Sequence, residues 1–447
     1  MPSREEVSYF GAGPARLPTS VLSKASSVLL NYNNTGLGLV EQSHRTASSS
    51  SIIAQTAAHF KTLLNAPSDD SYTVILMQGG GTTQFSSVVY NFVGYWVEKR
   101  LRKYGGDLEK VRADLKDMRC EYLLTGGWSL KASQEATRLL GEDHVSIVTN
   151  AKQVNGGKWG IIPNEDDWKL VEKKNSAFTY FCDNETVDGV EFPVFPPALA
   201  AEEGEEDERL VIGDMSSNIL SRPVDVKKYA MIFVCLRAHI AFLYLLITEL
   251  TNVYPQAGAQ KNMGITGLTV VLIRKSILDC QPTVATLRAL NLPITPILLH
   301  YSTIANSSSL YNTLPIFDVY VACEVMSQVL ANGGVDTTAA SAKRKSSACY
   351  EVIEKYDVYT PVITDARVRS RMNVCFRIAQ TKDGKDLQKE FFDEAEKQGF
   401  LGLKGHRSVG GGRISCYNAV REDEVDRLLV FMKSFASRQE LSNLALN

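Results

Sequence analysis

In the first half of this 447-residue chain, short apolar runs alternate with helical patterns, and each run stops at a polar, aromatic or glycine-rich cluster. Residues 72–77 form a β-type run that ends in Gln78-Gly79-Gly80-Gly81-Thr82-Thr83-Gln84, and an apolar helix follows from Phe85. Residues 121–124 end at Thr125-Gly126-Gly127-Trp128-Ser129, with a helix from about Leu130. Further strands are expected at 145–149, at 177–182 before Asp183-Asn184-Glu185-Thr186, and at 210–212 before Asp214-Met215-Ser216-Ser217. Such alternation predicts an α/β fold with a mainly parallel sheet and helices on both faces, which binds ligands at the carboxyl ends of its strands. The Gly81 loop, Trp128, Thr186 and Asp214 all fall at such ends. The Gly81 loop offers backbone N–H groups and a helix N-terminus to a phosphate. Its spacing matches neither a Walker loop nor G-x-G-x-x-G.

The next cluster is Ala257-Gly258-Ala259-Gln260-Lys261-Asn262, ahead of a strand at 267–274. A lone lysine is usually a surface charge. One among small residues beside a strand is a candidate nucleophile, provided that its surroundings lower its pKa. Beyond it, 293–312 reads as a loop, and 316–330 and 339–356 as helices. Residues 372–378 and 413–417 alternate like strands of a smaller sheet, and 387–398 and 424–435 are amphipathic. The expected division is a large domain over 17–335 and a small α+β domain from 1–16 and 336–447.

Net charge is −2 and no basic block stands out, so nucleic acid is not an expected partner. The eight cysteines are scattered, without a C-x-x-C pair, which reads as reduced thiols of a cytoplasmic protein and neither a disulfide framework nor a metal site. The start of the chain has neither a signal-peptide nor a transit-peptide pattern. The most apolar segment, 240–247, is far shorter than a membrane span, and no membrane partner is expected.

Nine motifs in order resemble the phosphoserine aminotransferase family, within the class-V aminotransferases and the PLP fold-type I architecture. They are Phe10-Gly11-Ala12-Gly13-Pro14, Ser43-His44-Arg45, Gln78-Gly79-Gly80-Gly81, Asn184-Glu185-Thr186, the stretch from Asp214 to Pro223, Ala257 to Asn262, Tyr311-Asn312-Thr313, Ser370-Arg371-Met372-Asn373-Val374, and Lys404 to Gly411. They span nearly the whole chain, and the last is the most specific within the class. The resemblance implies a seven-stranded type of sheet, pyridoxal 5′-phosphate as cofactor, and a homodimer with shared active sites. The implied reaction moves the amino group of L-glutamate to 3-phosphohydroxypyruvate, giving O-phospho-L-serine and 2-oxoglutarate in serine biosynthesis.

Residue roles follow from the same resemblance. Lys261 would carry the cofactor covalently and Asp214 would pair with its pyridine nitrogen. Trp128 would stack on the ring and Thr186 would reach its phenolic oxygen. Gly81, Thr82 and Gln260 would hold its phosphate, with Asn312 and Thr313 reaching over from the partner subunit. Arg413 would take the substrate α-carboxylate. His406 and Arg407, with His44 and Arg45 from the partner, would take the substrate phosphate; an arginine fork suits such anions. The bland alternatives are a helix-cap Asp214, a core Trp128, a structural Thr186 and surface-paired arginines. Two other functions compete. A related class-V lyase such as a cysteine desulfurase needs a reactive cysteine on a mobile loop, which the sequence does not suggest. A catalytically impaired dimeric protein of the same fold is the other.

That second alternative rests on residues 234–256. In the family pattern Phe233 leads directly into Ala257-Gly258-Ala259-Gln260-Lys261, and here 23 residues intervene. Their length is a whole number of codons. Val-Cys at their start can be encoded by a common 5′ splice sequence, and Gln at their end by CAG, a usual 3′ splice end. They read as a translated intron; a genuine insertion is the rival. Either way, an insert at the end of a central strand is expected to weaken cofactor binding.

Overall fold

The computed structural model describes residues 3–200, 207–235, 261–380 and 386–445. Seven strands form the central sheet: β1 (Tyr72–Gln78), β2 (Arg119–Leu124), β3 (Val145–Asn150), β4 (Ser176–Cys182), β5 (Val211–Asp214), β6 (Met231–Cys235) and β7 (Leu268–Arg274). Their spatial order is 3-2-4-5-6-7-1. The sheet is parallel except for β7, which runs antiparallel to both β1 and β6. Every residue of β4 is buried. A strand covered on both faces reads as a continuous apolar run, which is why this sheet showed as runs with little alternation.

Successive side chains nevertheless point to opposite layers. Leu76, Leu123, Phe181, Ile232 and Val270 pack into one layer, with Ile52 and Phe60 of α1 (Ala47–Leu63). Ile75, Tyr122, Tyr180, Phe233 and Val271 pack into the other, with Phe85, Phe92 and Trp96 of α2 (Gly81–Lys103). Helix α2 starts four residues before the expected Phe85, and α3 (Gly127–Leu140) starts three before Leu130. In both cases the helix opens on glycine, ahead of its first apolar residue. Helix α2 stays in the core well past its first turns, where Trp96 and Val97 are buried. Residues 293–312 contain the short helix Tyr301–Asn306 where a loop was expected, because Tyr301 and Ile304 are buried in the second layer.

The later part of the chain adds α4 (Ile316–Ala331), α5 (Gly334–Lys355) and α6 (Glu422–Ala445). It also forms a small antiparallel sheet of β8 (Tyr359–Pro361), β9 (Asn373–Ile378) and β10 (Gly412–Ser415), in that order. Its core gathers Phe376, Phe391, Phe431 and Phe435, and Phe10 joins it from the start of the chain. Ser8 and Tyr9 pair in parallel with Phe400 and Leu401, and Arg16 makes a buried ion pair with Glu424.

Val234 and Cys235, the first two residues of the anomalous segment, are the last two of β6. They pair with Val270 and Thr269 of β7. The rest of that segment, and Gln260, lie outside the described residues. No helix among the described residues is long and apolar enough to cross a membrane.

Candidate active site

The strand ends converge on a narrow recess lined by Gly81, Trp128, Thr186, Asp214, Cys235 and Lys261. It adjoins a cleft of about 1120 Å³ between the two sheets, whose wall includes Tyr9, Trp128, Lys261, His406 and Arg413. Five of the expected site residues therefore meet in one recess, contributed by four strand ends and the residue that follows the undescribed stretch.

Asp214 is the last residue of β5 and is 5% exposed. Its Oδ1 accepts from the Ser216 amide (3.0 Å) and hydroxyl (2.5 Å), and its Oδ2 from the Tyr180 hydroxyl (3.1 Å). Burial pushes its pKa up, against the Ser216 hydrogen bonds and nearby Lys261. The Ser216 hydroxyl also accepts from the Cys235 amide at 3.0 Å, which ties the end of β6 to this carboxylate. Lys261 is buried, and its Nζ donates to Thr186 Oγ1 at 2.9 Å. Burial lowers its pKa to about 8, opposed first by Asp214. An amine with that pKa is roughly one-tenth neutral at pH 7, on the order of a hundredfold more than an ordinary lysine, and the neutral form is the one that attacks a carbonyl.

Two glycine-opened helices point their N-termini at this region, and they are not equivalent. The first N–H groups of a helix lack intrahelical acceptors and attract anions. At α3 protein carboxylates fill that role. Gly127 N–H donates to Asp188 Oδ2 (3.0 Å), Trp128 N–H to Glu185 Oε2 (2.8 Å) and Ser129 N–H to Glu185 Oε1 (2.9 Å). At α2 no side chain caps the helix, and Gly81 faces the recess. Before it, Gly79 has φ +112°, and a Cβ there would stand 2.7 Å from Thr83 Oγ1, so the turn admits only glycine. The end of α2 is thus the one suited to a phosphate.

Arg413 of β10 donates to the Thr186 carbonyl through Nη1 (3.1 Å). Its Nε is buried with no hydrogen-bond partner among the described residues, a donor positioned for an anion. His406 lines the cleft, where burial and then Arg413 lower its pKa, and Arg407 beside it is exposed. The remaining expected residues stand apart. Asn312 and Thr313 are exposed at the end of β1, where Asn312 Nδ2 donates to Gln78 Oε1 (2.6 Å). His44 and Arg45 precede α1, and neither lines the recess or the cleft. Thr82 follows Gly81 in α2 but is exposed and lines neither.

The motif residues given no role by the sequence form the scaffold. Asn184 donates to Ser217 Oγ (2.7 Å) and Asn373 Oδ1 (2.9 Å) and accepts from Ser370 Oγ (2.6 Å), joining the loops after β4 and β5 to β9. Arg222 clamps Asp183 at 2.6 and 2.7 Å, and Arg371 holds Glu191 at 2.8 Å. Tyr180, Ser216 and Glu185 were missed as site residues. Glu185 and Ser216 had a signal, each lying in a polar cluster singled out at a strand end, whereas Tyr180 had none.

The fold, the buried lysine–carboxylate recess and the open helix end together define a class-V aminotransferase. The model of the family described as "Aminotransferase class-V" matches residues 7–101 and 254–428. A phosphoserine aminotransferase of Saccharomyces cerevisiae is 40% identical over 440 residues, covering 97% of this chain and 98% of the relative. The solved phosphoserine aminotransferase of Bacillus circulans subsp. alkalophilus superposes with a TM-score of 0.76 at 31% identity, covering 96% and 98% of the two chains. That of Trichomonas vaginalis, described as PLP-bound, gives 0.74 at 31% identity, covering 95% and 99%. The chain belongs to the phosphoserine aminotransferase family.

Proposed function

We propose that the protein transfers the amino group of L-glutamate to 3-phosphohydroxypyruvate, forming O-phospho-L-serine and 2-oxoglutarate. The observation that carries this reading is the buried Lys261–Thr186–Asp214 recess beneath the unpartnered Nε of Arg413. The donor set fits pyridoxal phosphate: a depressed lysine amine, a buried carboxylate, a half-buried indole and an uncapped helix end. When bound, that cofactor supplies a conjugated ring that accepts the electrons released at an amino acid's Cα.

The chain's own residues do the rest. Lys261 would hold the cofactor, and its amine would also serve as the base that takes the proton from the substrate Cα and returns one to the product. Thr186 fixes the position of Nζ. Asp214, whose ionised form Ser216 and Tyr180 favour against its burial, would hold the ring nitrogen protonated. Gly81 and the backbone N–H groups of the first turn of α2, Thr82 included, would hold the cofactor phosphate, and Trp128 would cover the ring. Arg413 takes the substrate carboxylate, and His406 with Arg407 takes its phosphate. The large unit 17–335 supplies the recess, and the small unit 1–16 with 336–447 supplies Arg413 and His406.

The working molecule in this reading is a homodimer. His44, Arg45, Asn312 and Thr313 line neither this chain's recess nor its cleft. In the chain, the exposed Leu30 (79%), Leu37 and Val40 precede the first pair, and the exposed Ile297, Leu298 and Tyr311 precede the second. A second copy would bury these and bring the four residues to its partner's site. The eight unpaired, buried cysteines support a reducing compartment such as the cytoplasm and argue against a desulfurase, whose thiol must be exposed. The test is a coupled assay of the purified full chain with L-glutamate and 3-phosphohydroxypyruvate. Glutamate-dependent formation of phosphoserine is the expected result, and none at full cofactor occupancy would overturn the reading.

A further inference from the structure

Glu185 is completely buried in the loop after β4, yet it touches neither the recess nor the cleft. Its carboxylate accepts from three donors of one helical turn: the Trp128 amide, the Ser129 amide and, at 2.6 Å, the Ser129 hydroxyl. Gly126 lets it come this close, because a Cβ there would stand 2.4 Å from Glu185 Cδ. Trp128 is the second residue of α3, so its ring direction is set by how this turn is held. We propose that Glu185 is a positioning residue that seats Trp128 over the cofactor by gripping the first turn of α3. The inference rests on the reading of Trp128 as the residue that covers the ring.

The grip needs a charged carboxylate. Each of its two oxygens accepts from a backbone N–H, which can only donate, so the amide of a glutamine would set its NH2 against one of them. The surroundings make that charge costly. Burial and then Asp188 raise the Glu185 pKa to about 7, while Ser129 and Trp128 oppose the shift. Tyr180 and Cys182 of β4 face it as further groups with raised pKa, and Lys152 and Arg413 reach it only through Asp188. The folded pKa lies above the ordinary 4.5, so ionising Glu185 lowers stability as pH rises through about 7. Neutralising it should spare the fold and harm the seat.

The test is a double-mutant cycle of E185Q and W128A, read by pyridoxal phosphate binding to the apo protein at pH 8 and by Tm. E185Q is expected to weaken binding roughly 10-fold, the loss of about one charge-assisted hydrogen bond. Its Tm should fall by no more than about 2 °C. In the W128A background E185Q should change affinity less than about twofold, since its effect passes through the indole. The proposal is overturned if E185Q binds as the parent does, if its loss persists undiminished beside W128A, or if affinity falls only with a large drop in Tm. If W128A alone leaves affinity unchanged, it is the reading of Trp128 that fails, and the proposal with it.

Discussion

Replacing Asp214 by Asn separates the charge of this residue from its shape. The amide oxygen can stay where Oδ1 accepts two hydrogen bonds from Ser216, and the amide nitrogen can donate to the Tyr180 hydroxyl, now an acceptor. Every local hydrogen bond therefore has a replacement. Burial raises the Asp214 pKa, so the ionised carboxylate is held at a cost that Asn removes. The apo protein should change in stability by no more than about 1 kcal/mol in either direction. Catalysis should respond differently, because in the proposed reading the lost charge is the one that would keep the ring nitrogen protonated. Removal of one such fixed electrostatic partner typically costs about 10²–10³ in kcat, or roughly 3–4 kcal/mol. Asp214 is also the first of the groups that raise the Lys261 pKa, so in D214N that amine should titrate below its value of about 8. The assay measures kcat at saturating cofactor, Tm of the apo protein, and the pH dependence of Lys261 reactivity towards pyridoxal phosphate. A variant within tenfold of the parent in kcat at equal occupancy would refute the assigned role, whatever its Tm.

Two further outcomes are expected. Cofactor capture by the native apo protein should rise with pH through about 8, since only the neutral Lys261 amine attacks a carbonyl; rates measured from pH 6.5 to 9.5 that stay flat would show that the amine is not limiting. Deleting residues 234–256 should raise pyridoxal phosphate occupancy at a fixed subsaturating concentration, read by the absorbance of the bound cofactor, and equal occupancy and turnover in both forms would refute the expected harm of the insert.

The central sheet was legible because its strands are short, apolar and punctuated. Four strand ends carried a feature whose chemistry stood out against its neighbours: the Gly81 loop, Trp128, Thr186 and Asp214. Helix starts were less legible. Apolar periodicity begins only where side chains enter the core, at Phe85, whereas the helix begins where the backbone turns, at Gly81. Tyr180 was hidden for a related reason. It lies in a strand whose residues are all buried, and nothing in the sequence shows that its hydroxyl reaches a carboxylate 34 residues further on. The Glu185 grip on α3 joins two loops across the sheet and depends on a glycine without a side chain, which no local pattern encodes.

The end of β6 shows why an insert can begin beside the cofactor without removing the site. In the family pattern Phe233 is followed directly by Ala-Gly, whereas in this chain Val234 and Cys235 take those places. What the neighbours ask of these positions is backbone. They pair with Val270 and Thr269 of β7, and the Cys235 amide donates to Ser216, which donates in turn to Asp214. Any residue with an N–H and a carbonyl meets those demands, so the Asp214 network is intact. The side chain is where the substitution is felt, because Cys235 lines the recess at a position where the family pattern places glycine. Its thiol is buried and held neutral by that burial, so it takes space in the recess and adds no charge. Harm from the insert must then come through lost room beside the ring, or through the path from Cys235 to Lys261. The first contribution is separable: Cys235→Gly in the full-length chain relieves the recess and leaves the path unchanged.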